Sequence, residues 1–250
     1  MTPSPESDAC AVVELRQYTL HPGRRDTLIA LFDREFVETQ EAVGISVMAQ
    51  FRDLDRPDHF VWMRGFAGME QRAAALATFY GGPVWAAHRD AANATMIDSD
   101  DVLLLRPARP GGGLALADRS QAAVAAAPAA PGLVMAQVCA LRPGLNGGEA
   151  AAHFERHVAP VLAQHGATIV GGYISEPGPN TFARLPVREG ENVFVWFARF
   201  ANARAHGQWF ERLAADADWT ERIEPAWRSH LQGAVQTLRL APTTRSRFTA

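Results

Sequence analysis

Glu14, Arg16 and Tyr18 stand at every second position of one short stretch, and Gln50 with Arg52 and Trp62 with Arg64 repeat that step in two others. Guanidinium groups hold carboxylates and phosphates through paired hydrogen bonds, while Tyr and Trp offer flat apolar faces. If a sheet gathers them, they form a pocket for a small anionic or aromatic molecule, with Arg16, Arg52 and Arg64 on its acidic group. The reading placed ahead of it is a cross-strand ion-pair network of Glu14 and the arginines that pins the sheets together, because such a network satisfies buried charges without any ligand. His88 lies in PVWAAHRDAAN, where Trp85, Arg89 and Asn93 recur every four residues and so share a helical face beside it. Its imidazole could move a proton at the mouth of such a pocket. Spacing places no second group to complete an acid–base pair, so no catalytic residue is assigned.

Other chemistries find less footing. His153 and His157 are four apart, as on a zinc-binding helix, but Glu155 is one place late for the His-Glu-x-x-His pattern and no further ligands follow, so no metal site is expected. None of the eight histidines stands out as a haem ligand, and no cofactor is expected. Cys10 reads as part of a mobile tail and Cys139 as a strand residue, both inert. Trp209, Phe210, Leu213, Trp219, Ile223 and Trp227 keep helical spacing and read as core. The 250 residues contain no lysine, which removes P-loop phosphate transfer and Schiff-base chemistry together. A net charge of -3 without a basic block argues against nucleic acid. No apolar run reaches the roughly 18–20 residues of a membrane span, and MTPSPESDAC lacks the features of an export signal. Two cysteines suit a reducing compartment, so a cytoplasmic location is expected.

The elements that must position these residues occur twice. Leu20-His21-Pro22-Gly23 returns as Leu141-Arg142-Pro143-Gly144, Phe32-Asp33-Arg34-Glu35 as Phe154-Glu155-Arg156-His157, and FVWMRGF at Phe60–Phe66 as FVWFARF at Phe194–Phe200. The matches keep their order, which predicts one unit of roughly 100 residues used in tandem. Residues 10–106 form the first copy, 133–242 the second, and the Pro/Gly/Ala-rich stretch 107–132 a flexible linker with one helical turn. Within a copy the order is strand, helix, strand, strand, helix, strand. The strands are expected at Val12 to Leu20, Ile45 to Arg52, His59 to Phe66 and Val102 to Leu105, and the helices from Pro22-Gly23 to Ala42, at Met69 to Phe79 and at Val84 to Met96. This βαββαβ order is the ferredoxin-like unit, an antiparallel sheet with helices on one face.

ELRQYTL followed by Pro22-Gly23, FVW-RGF and FYGGPVWAAHRDAANATM from Phe79 resemble the NIPSNAP family, densely over Val12 to Arg106 and more loosely over Leu133 to Leu240. The resemblance implies a dimeric α/β-barrel arrangement of two ferredoxin-like sheets, closed within the chain or between two chains, and makes a homo-oligomer the expectation. It implies little about activity: most members have no assigned function, while the wider superfamily includes small monooxygenases, polyketide cyclases and haem enzymes. The expected function is therefore a small-molecule or protein binding module, with a cofactor-free monooxygenase or cyclase as the alternative.

Strand alternation separates Val13, Leu15, Val47, Ala49, Phe51, Val61, Met63 and Gly65 from Glu14, Arg16, Tyr18, Gln50, Arg52, Trp62 and Arg64. The apolar set is expected under the helices and the mixed set inside the barrel. In the second copy the positions aligned with the mixed set read Met135, Gln137, Cys139, Trp196 and Ala198, so the charges are gone and the tryptophan stays.

Overall fold

A computed structural model describes residues 10–118 and 132–248. Strand β1 (Val12–Leu20) is followed by α1 (Arg25–Leu31), a π-helical turn (Phe32–Phe36) and α2 (Val37–Glu41), then β2 (Ser46–Asp53), β3 (His59–Phe66), α3 (Met69–Gly81), α4 (Pro83–Asn93) and β4 (Met96–Pro107). The order recurs as β5 (Leu133–Ala140), α5 (Gly147–His153), a π-helical turn (Phe154–Val158), α6 (Ala159–Gln164), β6 (Thr168–Ser175), β7 (Val193–Phe200), α7 (Ala203–Ala214), a π-helical turn (Trp219–Ile223), α8 (Glu224–Arg228) and β8 (Gln236–Pro242). Both Pro-Gly turns put their glycine in the left-handed region, Gly23 at φ 73° and Gly144 at φ 81°, where a side chain would be strained. Pro83 opens α4 at a position whose N–H has no helical partner to lose.

The two βαββαβ units share one closed antiparallel barrel of order β1-β3-β2-β8-β5-β7-β6-β4. Its two seams are reciprocal. The fourth strand of the second unit pairs with the second strand of the first, Phe51 facing Pro242 and Asp53 facing Leu240. The fourth strand of the first pairs with the second strand of the second, Leu105 facing Ser175 and Pro107 facing Tyr173. One chain therefore closes the barrel, and every strand has a partner on both sides.

The two sheet faces are the reverse of the expectation. Val13, Leu15, Ala49, Phe51, Val61 and Met63 form one buried cluster with Val134, Ala136, Val195, Phe197, Leu238 and Leu240 of the other unit, and no helical residue joins it. This is the barrel interior. Tyr18, Phe60 and Trp62 instead pack with Leu28, Phe32, Phe36, Leu76 and Phe79 of the helices. The reason is physical: the interior of an eight-stranded barrel is filled by side chains from all strands and leaves charges nothing to pair with, whereas helices can bring them partners. A register shift in β2 also breaks the alternation, sending Val47 to the helices while Met48 and Ala49 both point inward.

Other differences are local. β4 begins at Met96, because residues up to Asp101 continue the pairing with β1 through two bulges. The stretch expected to be a flexible linker begins as packed chain, with Leu114 and Leu116 buried against the barrel interior; its expected helical turn falls on residues 119–131, outside the described residues. Cys10 is not in a loose tail. It is buried beside Met48 and fills the space that a side chain at Gly65 would need. Among the described residues no helix is long and apolar enough to cross a membrane.

Candidate functional site

Glu14 is the centre of the predicted cluster, between the sheet and the helices of the first unit. Opposite strand positions bring Glu14 to Arg64 and Arg16 to Trp62. Arg16 Nη1 donates to Glu14 Oε2 at 2.5 Å, Arg64 Nε donates to the same oxygen at 2.8 Å, and Arg72 Nε from α3 donates to Oε1 at 2.7 Å. All four side chains are at most 1% exposed. Burial by itself would raise the carboxyl pKa, but Arg64, Arg16 and Arg72 outweigh it and hold Glu14 well below its ordinary 4.5. Arg16 Nε donates to the Tyr18 hydroxyl at 3.0 Å. Arg64 Nη1 reaches Gln40 Oε1 at 3.2 Å and the Tyr80 hydroxyl at 3.3 Å. The rings add cation–π contact: Trp62 lies 5.6 Å from the Arg16 guanidinium and 5.2 Å from that of Arg64.

Glu14, Arg16, Tyr18, Trp62 and Arg64 thus come together, on the outer rather than the inner face. The other predicted residues do not join them. Arg52 lies at the surface and pairs with Asp26 at 2.8 Å. Gln50 is buried opposite Trp62, where its backbone receives the C-terminal segment. His88, partly exposed on α4, stands 3.3 Å from Glu35. Arg72, Gln40 and Tyr80 escaped the sequence reading because each sits on a helix with no periodic signal to distinguish it. Asn180 and Thr181, which bond Arg72, lie in a loop of the other unit.

The same place in the second unit is open. A cavity of about 570 Å³ lies between the outer face of β5, β7 and β8 and the helices α7 and α8. Its origin lies in the aligned residues. Met135 and Gln137 replace Glu14 and Arg16, and Ala198 replaces Arg64. Counted from the helix N-caps, Gly68 and Asn202, His206 replaces Arg72 and Ala214 replaces Tyr80. Three guanidiniums and a phenol give way to smaller groups, and the helices do not close the space. Trp196, Trp209, Trp219 and Trp227 wall it, with Phe154 and Val158 from the π-helical turn after α5. Trp209, Leu213, Ile223 and Trp227 are core, as read from the sequence, and Trp209, Leu213 and Trp227 also line the cavity, whereas Phe210 is exposed at its edge. The polar groups on the wall are Gln137, whose Nε2 donates to Thr237 Oγ1 at 3.3 Å, Thr220, the ion-paired Glu224 and Arg228, and His206, which is shifted below 6.5, first by burial and then by Arg239. Cys139 behind the wall is inert, its thiol pushed up to about 12 by burial. His153 packs against His157 and His230 with tilted rings, centroids 4.9 and 4.2 Å apart. Among the described residues no group of three His, Cys, Asp or Glu is placed to hold a metal ion.

The family model NIPSNAP matches residues 13–110. No curated protein matches the chain. Among solved structures, a Lactobacillus acidophilus NCFM protein provisionally called a monooxygenase is 10% identical, with 96% of this chain and 98% of that one covered, at a TM-score of 0.56. A Fusobacterium nucleatum protein of the same provisional description is 8% identical over 94% and 93%, also at 0.56. An anthrone oxidase-like protein is 12% identical over 95% and 93%, again at 0.56. These likenesses span both units and show a shared fold.

Proposed function

We propose that this chain, whose residues 13–110 belong to the NIPSNAP family, is a binding protein for a small, flat, largely apolar molecule held in the cavity of the second unit. One observation carries the reading: a cavity of about 570 Å³ walled by four tryptophans, where the first unit has packed side chains. That volume falls in the usual range for ligand sites, and aromatic walls with a few polar groups favour a planar ligand with one polar edge. Gln137, Thr237 and His206 supply that edge.

Part of the proposal is that residues 10–106 and 133–242 are two copies of one unit, the second having exchanged packed charge for binding space. A cytoplasmic location also belongs to it, supported by two buried thiols. A homo-oligomer would have to use helical surfaces, because the barrel consumes its own strand edges. The cofactor-free monooxygenase or cyclase reading cannot use the inner face of the first unit, which is filled by Leu15, Phe51, Val61 and Met63. Its remaining support is His206 on the cavity wall and the names of the structural relatives.

Those names make anthrone a rational first probe. Titration should quench tryptophan fluorescence saturably, and Ala214→Tyr, which restores the first unit's residue, should weaken the response at least tenfold without lowering the unfolding midpoint. Equal quenching in A214Y would remove the cavity as the site. Oxygen uptake with anthrone, measured in the same samples, separates turnover from binding.

A further inference from the structure

The first unit buries more positive charge than it neutralises. Arg16, Arg64 and Arg72 meet one carboxylate, Glu14, which leaves a surplus of two charges in a place shut off from water. Their other partners are neutral: the Tyr18 and Tyr80 hydroxyls, the side chains of Gln40, Asn180 and Thr181, and the Ser99 carbonyl. Among the described residues, Arg64 Nη2 and Arg72 Nη2 are buried without a partner. Unpaired buried cations and unmet donors each cost several kcal/mol, so an arrangement with both is complete only when an anion joins it.

The cover over this cluster is an independent observation. It is residues 176–192, the connection between β6 and β7, and it comes from the other unit. Asn180 Oδ1 accepts from Arg72 at 3.0 Å and Thr181 Oγ1 at 3.2 Å. Phe182 stacks on Tyr80, and Arg188 pairs with Asp101 at 3.1 Å. The segment contains Pro177, Pro179 and Pro186 and has neither helix nor strand, so lifting it breaks no strand pairing; the backbone bonds to β4 that it gives up are the two that Glu176 N and Arg188 N donate to the Leu104 and Val102 carbonyls. Its grip on Arg72 consists of neutral acceptors on a charged donor, which an anionic oxygen replaces with a stronger bond.

We propose that Arg16, Arg64 and Arg72 form a binding site for a small dianion presenting carboxylate or phosphate oxygens, entered by displacement of the strap 176–192. This site is separate from the apolar cavity of the second unit and stands without it. Guanidinium forks fit both oxygen types, so the test compares inorganic phosphate with malonate, against sodium chloride at equal ionic strength.

The experiment is thermal unfolding of the full chain as each probe is added. One of the two should raise the midpoint saturably where chloride does not, and which one does so identifies the source of the oxygens. Arg72→Gln should abolish the shift, and A214Y should leave it intact. The paired change Asn180→Ala and Thr181→Ala keeps every cluster residue and removes the competing acceptors, so the apparent Kd should fall on the order of tenfold. That variant carries the test if R72Q does not fold. No saturable shift in either the natural chain or the strap variant, or the same shift in R72Q, would overturn the site. An unchanged Kd in the strap variant would overturn the strap as its gate.

Discussion

Glu14 accepts hydrogen bonds from three arginines, and among the described residues no other carboxylate pairs with them. Its stabilising role is therefore unlike that of the surface pairs. Glu14→Gln keeps the shape but leaves three buried guanidiniums without a counter-charge, and the expected cost is about 3–5 kcal/mol. Arg52→Ala breaks only the half-exposed pair with Asp26 and should cost under about 1 kcal/mol. Urea unfolding of the two variants at neutral pH reads both numbers. The sign of the pH dependence follows from the depressed carboxyl. Glu14 is held below its ordinary 4.5, so its contribution is complete above that value and drains away as pH falls towards the lower folded value. In E14Q the acid limb of the stability curve should flatten below pH 4.5. Equal stability and an unchanged acid limb would mean that the arginines, not the carboxylate, organise the cluster.

At the scale of elements, the barrel depends on short segments beyond its strands. Past the end of β8 the chain turns back over β2: Thr243 N donates to the Gln50 carbonyl at 2.9 Å, Ser246 Oγ accepts from Gln50 N at 3.2 Å, and Phe248 packs on Phe51 with ring centres 6.4 Å apart. Truncation after Pro242 uncovers a buried phenylalanine and strips these bonds, which should cost about 3–5 kcal/mol in chemical denaturation. A loss below about 1 kcal/mol, the size of a single hydrogen bond, would show that the unit does end at residue 242. Most of the elements themselves were legible in the sequence, because the Pro-Gly turns, the FVW strands and the helical apolar spacing are local signals. Alternation also sorted the residues of β1 and β3 correctly into two sets. What it could not carry was which set faces inward, since both faces of this sheet are covered and period two is blind to the cover. The deciding fact is non-local: Gln40 from α2, with Arg72 and Tyr80 from α3, supplies partners that make a buried Glu14 and Arg64 tolerable on the outer face. The cavity was illegible for a related reason. It arises from what Ala198 and Ala214 fail to fill, and absent volume leaves no periodicity.

At the scale of the whole molecule, the reciprocal seams make neither unit self-sufficient. Cut at residue 118, the first unit would expose β2 and β4, which in the intact chain pair with β8 and β6. It would also lose the strap that covers Arg72. The apolar face of Leu15, Phe51, Val61 and Met63 would lie open to water, too large an exposure for a soluble monomer. Because each seam joins a second strand to a fourth, the fragment carries both halves of the seam, and a second copy can supply what the second unit supplied. Residues 1–118 should therefore form a homodimer with β2 of one copy on β4 of the other, or else precipitate, whereas the intact chain already contains the whole barrel. Light scattering across a dilution series, with circular dichroism at each concentration, tests this directly: loss of folded signal and of dimer mass must coincide. A folded monomeric fragment would mean that the interior packing between units contributes little. The frame that lets one unit hold charge and the other hold a cavity would then be the helices of each unit, not the core the two units share.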